Sequence, residues 1–313
     1  MLKLWSAILM TSMAAFFFSA SLWAQENVTI ISGGIELSGT LELAKKKTNK
    51  AILIISGSGQ TDRDGNTKPL YVNDALKKLA LELSNLGYTS LRYDKRGVGK
   101  SLSDLVSYES LRFEDYVTDA TNWISYLKKE YSDIAVIGHS QGALVAMLAI
   151  QNNPVNKFIS LAGLTDDLYT TLKRQLSNKP NFVKDAAFPI LDSLKRGVKV
   201  DSVPSFLQSL MGPAVQNYFL SFMKYEPREE IKKLGIPILI IQGTTDLQIT
   251  VEGATEMSKL TNLASLKVII GMNHVLRKST ADASENMATY NNAELPLHNE
   301  LIGEIKAFLK DKN

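Results

Sequence analysis

The sequence predicts an α/β fold in which a mostly parallel sheet of eight strands carries helices on both faces. Short runs rich in β-branched residues alternate with amphipathic helical segments along the chain, a pattern typical of parallel sheets. The run at 51–55 (AILII) has no polar position, so we expect that strand to be buried on both sides. With 313 residues, of which 45% are hydrophobic, the chain can form one large core.

The predicted elements follow from local pattern and from turn residues. Helices are expected at 71–85, 114–129, 141–151 and 299–310, and strands at 28–31, 35–43, 51–55, 89–93, 134–138, 158–162, 236–242 and 265–270. The first two strands flank the turn Ser32-Gly33-Gly34. We therefore predict an antiparallel start to the sheet, followed by parallel strands.

One segment, 165–230, interrupts the alternation of strands and helices. Leu168, Leu172 and Leu176 recur at the spacing of one helix face, and further aromatic residues follow. We interpret it as a helical lid inserted into a core made of 25–164 and 231–313. The alternative is a small extra subdomain with no role in substrate binding.

The N-terminus resembles a secretory signal. Lys3 precedes an uncharged apolar stretch over 4–24, which predicts a signal peptide over 1–24, cleaved after Ala24, and a secreted or periplasmic protein. The alternative is an uncleaved membrane anchor, since the stretch approaches spanning length. Membrane association is expected only in that case.

Composition removes several other classes. The absence of cysteine excludes disulfides and thiolate metal sites. The basic run at 45–47 lies between two predicted strands and is expected to be a solvated turn, so we predict no nucleic-acid partner. The segment 97–101 ends like a phosphate-binding loop, but Asp94 stands where that motif needs glycine. We interpret 92–97 instead as a strand end and turn whose charges support the site. We predict no metal and no cofactor; the sequence gives no indication of oligomeric state.

The motif with chemical content is Gly138-His139-Ser140-Gln141-Gly142, a match to G-x-S-x-G. It follows one predicted strand and opens a predicted helix. That context lifts the serine hydroxyl above the sheet on a sharp turn, and the flanking glycines let strand and helix approach closely. We predict that Ser140 is a nucleophile. The alternative is a glycine-flanked turn with an inert serine.

A serine nucleophile needs a histidine base, and the chain has three histidines. His139 adjoins the serine and would point elsewhere. His298 opens the last predicted helix and is expected to be a surface or capping residue. His274 follows the last strand, at the sheet edge where ligands collect in α/β proteins, so it is the predicted base.

The base needs an acid that orients it. Asp246 lies on a loop after the strand at 236–242, and the chain order serine, aspartate, histidine is then the order expected for a strand-turn-helix nucleophile of this kind. Asp166 and Asp167, after the preceding strand, are the rival acids. Glu252 is less favoured because it lies further into the following helix.

Two backbone N–H groups are needed to stabilise a developing oxyanion. We assign one to Gln141, which follows the nucleophile. The other is expected in the glycine-containing loop after the strand at 51–55, from Ser58 or alternatively Gly59. The charged run Asp62-Arg63-Asp64 is expected to brace this loop through charge-assisted hydrogen bonds.

Together these stretches resemble the bacterial α/β-hydrolase superfamily of secreted and periplasmic esterases, including serine aminopeptidase-like and dienelactone-hydrolase-like members. The resemblance rests on 57–66, 93–101, 138–142, 237–246 and 273–276. It implies hydrolysis of short- to medium-chain acyl esters without a cofactor. The family often has a histidine where this chain has Ser56. This difference concerns the geometry of the N–H donors in the oxyanion loop.

Three functions are therefore compared. The first is a serine carboxylic-ester hydrolase that acts on a small-molecule ester through an acyl-enzyme. The second is a serine peptidase of aminopeptidase type, for which Glu226, Glu229 and Glu230 could bind a free amino terminus. The third is a binding protein on a catalytically inactive scaffold. The complete Ser140, Asp246 and His274 set favours the first.

Overall fold

The computed structural model describes residues 25–310. The predicted signal peptide lies outside these described residues. Within them, no helix is long and apolar enough to cross a membrane.

The sheet has eight strands in the order β1-β2-β4-β3-β5-β6-β7-β8. The β2 strand is antiparallel to both of its neighbours, β1 and β4, and every later pairing is parallel. The predicted antiparallel start and parallel body are therefore confirmed. The strands are β1 (Gln25–Ser32), β2 (Ile35–Glu42), β3 (Lys50–Ile55), β4 (Thr89–Tyr93), β5 (Asp133–His139), β6 (Lys157–Leu161), β7 (Ile238–Gly243) and β8 (Ala264–Ile269).

Helices cover both faces of the sheet because the central strands are apolar on both sides. The face that bears Ile52, Ile54 and Ile137 packs against α1 and α11, and the opposite face packs against α2 and α3. The α-helices in the described part are α1 (Ala75–Asn85), α2 (Phe113–Leu127), α3 (Gln141–Asn152), α4 (Leu168–Ser177), α5 (Asn181–Lys195), α6 (Gln208–Met211), α7 (Pro213–Phe222), α8 (Pro227–Lys232), α9 (Val251–Ser258), α10 (Ala283–Ala288) and α11 (Leu301–Lys310).

The segment between β6 and β7 is helical, as expected for 165–230. It contains α4 to α8 and packs beside α2 and α3, for example through the stacked rings of Phe113 and Phe222, whose centroids lie 4.3 Å apart. Because β6 and β7 are hydrogen-bonded neighbours, the whole segment is an excursion between two adjacent strands.

Helix α1 begins four residues later than predicted. The side chain of Asn66 accepts hydrogen bonds from the N–H groups of Asn73 and Asp74 at 2.8 and 2.9 Å, and the Asn73 side chain accepts one from Ala75 at 3.0 Å. These bonds hold 71–74 outside the helix, with Asp74 in the left-handed region at φ 52°. Hydrophobic periodicity alone does not reveal such side-chain competition.

Candidate active site

Ser140 lies on the turn between β5 and α3, as predicted from the sequence motif. Its backbone has φ 54° and ψ −124°, a conformation that costs energy for a residue with a side chain. The strain is held by hydrogen bonds from the Ser140 N–H to the Leu161 carbonyl at 3.1 Å and from the Ala143 N–H to the Ser140 carbonyl at 3.0 Å. The turn thus fixes the serine at the carboxyl edge of the sheet.

The glycine after Gln141 lets helix α3 pack directly on strand β3. A Cβ at Gly142 would overlap the carbonyl oxygens of Ile55 and Ser56. Because these are backbone atoms, they cannot rotate away as a flexible side chain could.

We therefore expect Gly142→Ala to destabilise the fold by about 3 kcal/mol, at the upper end of overpacking costs. The check is urea unfolding followed by circular dichroism. Gly303→Ala is the matched control, since Gly303 lies in helix α11 with open space around it. That variant should gain roughly 0.5–1 kcal/mol. Equal stabilities for the two variants would contradict the prediction.

His274 and Asp246 form a direct pair. The Nδ1 atom of His274 lies 2.9 Å from Oδ2 of Asp246, and both side chains are almost wholly buried. The other oxygen, Oδ1, accepts the N–H groups of Gln248 and Ile249 at 2.7 and 3.0 Å. The Gln242 side-chain amide donates to Oδ2 at 3.1 Å. The carboxylate is therefore fixed from both sides.

These contacts decide the charge of Asp246. Burial alone would raise the pKa of its carboxyl, but the His274 imidazole and the backbone N–H groups together hold that pKa below its usual value. The aspartate is thus an anion that accepts a hydrogen bond from the Nδ1–H group of His274. Nε2 of His274 is then left without the proton, the tautomer that a general base needs.

Ser140 and His274 border the same cavity, which has a volume of about 230 Å³. Within residues 25–310 no hydrogen bond joins the Ser140 hydroxyl to the imidazole. Catalytic hydrogen bonds are often long without substrate and shorten when it binds. The structure thus brings the three predicted side chains to one rim of the sheet.

The alternative residues lie elsewhere. Asp166 pairs with Arg228 at 3.0 Å and with Arg174, and Asp167 caps helix α4 and pairs with Lys195 at 2.6 Å. His298 was expected to be a surface or capping residue. It is not at the surface, since it is 3% exposed, but its Nδ1 accepts the N–H of Glu300 at 3.4 Å, just before helix α11 begins, which agrees with the capping alternative. Its N–H donates to the Leu276 carbonyl at 2.8 Å, which draws the start of the last helix against the core.

His139 contacts the backbone of His274, a role that the sequence did not suggest. Its Nε2 lies 2.8 Å from the carbonyl oxygen of His274, and the two ring centroids are 4.9 Å apart. Since a carbonyl only accepts, Nε2 carries the proton. Burial and the nearby His274 lower the pKa of His139 to about 4. A neutral imidazole therefore anchors the backbone of His274.

The oxyanion loop, 56–66, lies over the nucleophile turn. Among the described residues, the backbone N–H groups of Ser58, Gly59 and Gln141 donate to no acceptor. The Gly57 backbone approaches the turn so closely that a Cβ there would lie 3.2 Å from Cβ of Ser140. The N–H groups assigned from the sequence are therefore free to bind a ligand oxygen.

The charged run braces this loop, as expected. Arg63 pairs with Asp94 at 2.7 Å, and Asp64 accepts a bond from Arg92 at 2.7 Å. The Asp62 side chain accepts the N–H groups of two later residues in the loop at 2.9 Å.

Lys95 is a second residue whose role the sequence did not reveal. Its ammonium group donates to the carbonyl oxygens of Gly57 and, at 2.9 Å, of Gly59. The residue is 3% exposed. Burial lowers the pKa of its ammonium group to about 7, and the nearby Asp62 opposes that shift.

The cavity walls come from the oxyanion loop, the start of α1 and the loops after β7 and β8. Tyr71 and Tyr290 meet edge to face there, with ring centroids 5.8 Å apart. The lining residues beyond Ser140, His274, Gly57 and Ser58 are Thr61, Gly65, Thr67, Tyr71, Asn73, Ala75, Leu76, His139, Gln248, Val275 and Tyr290.

No residue of 165–230 is among the lining residues of the described chain, so the cavity beside Ser140 is not formed by the helical insertion. The insertion instead reaches the back of the nucleophile turn, where the Tyr218 hydroxyl accepts a bond from the Gln141 side chain at 2.6 Å.

No set of metal ligands is found in the part of the chain that the structure describes. The described residues contain no cluster of three or more histidine, aspartate or glutamate side chains that could hold a metal ion.

The sheet order, the turn at Ser140 and the chain order of the three side chains define an α/β-hydrolase fold. Solved structures agree on the fold. Est1E from Butyrivibrio proteoclasticus, with ferulic acid bound, is 21% identical and superposes with a TM-score of 0.59 over 90% of this chain and 98% of that one. The esterase Pf2001 of Pyrococcus furiosus gives 16% identity and a TM-score of 0.57, with 92% of each chain covered.

Sequence comparison confirms the resemblance to bacterial α/β-hydrolases. A family model described as serine aminopeptidase, S33, matches residues 73–205, which includes Ser140 and ends before Asp246. Esterase EstD of Thermotoga maritima is 27% identical over 236 residues, or 72% of this chain and 54% of EstD. A bifunctional esterase/perhydrolase of Acinetobacter calcoaceticus is 26% identical over 185 residues, or 51% of this chain and 65% of that protein. The match thus spans between half and two thirds of these relatives.

Proposed function

We propose that this protein is a serine carboxylic-ester hydrolase that works through an acyl-enzyme intermediate. The observation that carries the proposal is the pairing of His274 Nδ1 with Asp246 Oδ2 at 2.9 Å beside the cavity that also holds Ser140. A buried anion bound to the imidazole, and a serine that borders the same cavity as that imidazole, are the groups that nucleophilic acyl transfer requires.

The steps follow from the atoms present. Nε2 of His274 takes the Ser140 hydroxyl proton as Oγ bonds to the ester carbonyl carbon. The carbonyl oxygen becomes an oxyanion, which the N–H groups of Gln141 and Ser58 stabilise. The imidazolium then gives its proton to the departing alkoxide as the C–O bond breaks. Water, deprotonated by the same imidazole, cleaves the acyl-enzyme and restores the serine.

The placement of acidic groups favours an ester over a peptide substrate. Glu230 pairs with Lys233 at 2.8 Å, Glu229 pairs with Lys232 at 2.7 Å, and Glu226 begins helix α8. None of the three borders the cavity in the described chain. A free amino terminus at Ser140 therefore has no carboxylate from this group to bind.

The cavity also favours a short acyl group. Its volume of about 230 Å³ lies below the roughly 300–1,000 Å³ of pockets that bind drug-sized ligands. We expect p-nitrophenyl acetate and butyrate to be hydrolysed with a kcat/KM at least about tenfold above that of the palmitate. Initial rates over a chain-length series check this, and a flat series would contradict the assignment of the cavity as the acyl pocket.

The proposal is tested by substrate class and by labelling. The protein should turn over p-nitrophenyl esters and leave an aminoacyl-naphthylamide panel almost untouched; the reverse preference would favour a peptidase. A fluorophosphonate should label the peptide that contains Ser140, read by mass spectrometry, and heat-unfolded protein is the control. Absence of both turnover and label would favour the inactive binding scaffold.

Export is also a proposal, supported by Lys3 and the apolar stretch over 4–24. Expression of the full chain in a bacterium, followed by fractionation and N-terminal mass spectrometry, should give mature protein that begins at Gln25 outside the cytoplasm. Full-length protein in the membrane fraction would favour the anchor instead.

A further inference from the structure

We propose that Lys95 is the positioning residue that aims the Ser58 N–H group at the oxyanion. The inference rests on the proposed ester hydrolysis and concerns how this chain builds its oxyanion loop without the histidine that related chains often have where Ser56 stands. Lys95 follows strand β4, which is hydrogen-bonded to β3. Its side chain donates to backbone carbonyls of the loop that follows β3.

The first step of the argument is the geometry of the peptide unit. A peptide bond is planar and trans, so the carbonyl of Gly57 and the N–H of Ser58 belong to one rigid plane and point in opposite directions. Lys95 holds the Gly57 carbonyl on its ammonium group. The N–H of Ser58 must therefore point away from Lys95.

The second step is that the loop has few other ways to fix this plane. Ser58, Gly59 and Gln60 are exposed, and Gly59 has φ 69°. Lys95 binds the carbonyls on either side of Ser58, those of Gly57 and Gly59, while the Thr61 hydroxyl binds the Ser58 carbonyl at 2.7 Å. Three successive carbonyls of the loop thus accept hydrogen bonds, two of them from Lys95, while the N–H of Ser58 has no acceptor among the described residues and is left for a ligand.

The third step is electrostatic. When Lys95 is protonated, its charge on a carbonyl oxygen polarises the whole peptide unit, which makes the N–H of that unit a stronger donor. The neutral amine, which is about equally populated near pH 7 because the pKa of Lys95 is about 7, still has N–H groups that can hold the carbonyls. The groups that face the ammonium are the Tyr116 ring, whose centroid lies 5.7 Å from Nζ, together with Asp62 and the neutral His139. Lys95 forms no salt bridge within the described residues, so its hydrogen bonds serve the loop.

Lys95→Met tests the proposal because it keeps the apolar stem and removes the donors. We expect kcat for p-nitrophenyl acetate to fall by about 10- to 100-fold, less than or comparable to the loss of a whole oxyanion donor, with KM within about threefold. The inhibition constant of phenylboronic acid, which forms a tetrahedral adduct on Ser140, should rise by a similar factor. A folded variant with unchanged kcat, or a loss confined to KM, overturns the proposal.

Lys129→Met is the matched control. Lys129 also lies over a tyrosine ring, Tyr126, at 5.8 Å, but in the exposed turn that follows helix α2. It should leave kcat and KM unchanged. If Lys95→Met does not fold, Lys95→Gln replaces it and is expected to lower kcat about tenfold at constant KM. An unchanged kcat in Lys95→Gln would also overturn the proposal.

Crystal structures of wild type and Lys95→Met give an answer that does not depend on activity. We expect the Gly57–Ser58 peptide plane to rotate in the variant; an unmoved plane contradicts the proposal. If wild type hydrolyses esters through Ser140 and the variant matches it, only the inference about Lys95 fails. If wild type hydrolyses no ester, the proposed function fails, and the structures still decide whether Lys95 sets the loop.

Discussion

Ser140→Ala is expected to lower kcat for p-nitrophenyl acetate by about 10⁴- to 10⁶-fold, to the residual rate that binding and the oxyanion donors give on their own. The reason is that Oγ forms the bond to the acyl carbon, and the structure places it on a strained turn at the carboxyl edge of the sheet. Steady-state rates measure the loss. Substrate binding should persist, because alanine leaves the cavity walls intact.

The variant needs a control for accidental effects of serine removal. Ser125→Ala changes an exposed serine on helix α2 that does not border the cavity, and should retain full activity. Purification from a host strain without background esterase is required, since a trace contaminant would mimic residual turnover. Equal rates for wild type and Ser140→Ala would end the serine-nucleophile mechanism.

Asp246→Asn is expected to lower kcat by about 10⁴-fold while the fold is retained. The asparagine amide can present N–H groups to Nδ1 of His274, where the carboxylate now accepts. The imidazole proton would then move to Nε2, and the base could no longer accept the serine proton. The loss should persist across neutral and mildly alkaline pH, because it arises from a tautomer and not from a titration.

Stability separates this effect from misfolding. The Gln248 and Ile249 N–H groups donate to Oδ1 of Asp246, and the asparagine carbonyl can keep both bonds. The Gln242 amide loses its acceptor Oδ2 but keeps the Ile249 carbonyl at 3.0 Å, so the thermal midpoint should fall only modestly. Glu252→Gln is the matched control, since Glu252 lies in the first turn of helix α9 and was the least favoured acid. A Glu252→Gln loss equal to that of Asp246→Asn would contradict the assignment.

The sheet could be predicted closely because its strands are dense in β-branched residues and are bounded by turn residues. Strand β4 has the predicted bounds, 89–93, between Gly87 and Asp94. Strand β7 begins at Ile238 and not at 236, since Pro237 cannot donate to the sheet. The start of α1 was wrong by four residues because Asn66 competes for its N–H groups, which only the tertiary structure shows.

The site was predictable to the extent that its residues follow strand ends. Ser140, Asp246 and His274 could be selected because the carboxyl ends of parallel strands meet at one edge. Lys95 and His139 could not, because each acts on a backbone carbonyl that is distant in sequence. No sequence spacing predicts that a lysine in a charged turn, or a histidine beside the nucleophile, donates a hydrogen bond to a distant backbone carbonyl. The capping contact of His298 agrees with the sequence, but its burial could not be predicted, because a residue that opens a helix is usually solvated.

The excursion between β6 and β7 has a consequence for how this protein can change. The two strands are joined by their own ladder, from Phe158 opposite Ile238 to Leu161 opposite Ile241, and the entropic cost of closing a loop grows only slowly with its length. The helices at 168–232 can therefore be exchanged for another helical segment while the eight-stranded frame persists, provided that the replacement covers the apolar side chains of α2 and α3 that the insertion buries. Such an exchange would leave the reacting atoms and the walls of the cavity in place, because no residue of 165–230 in the described chain borders the cavity.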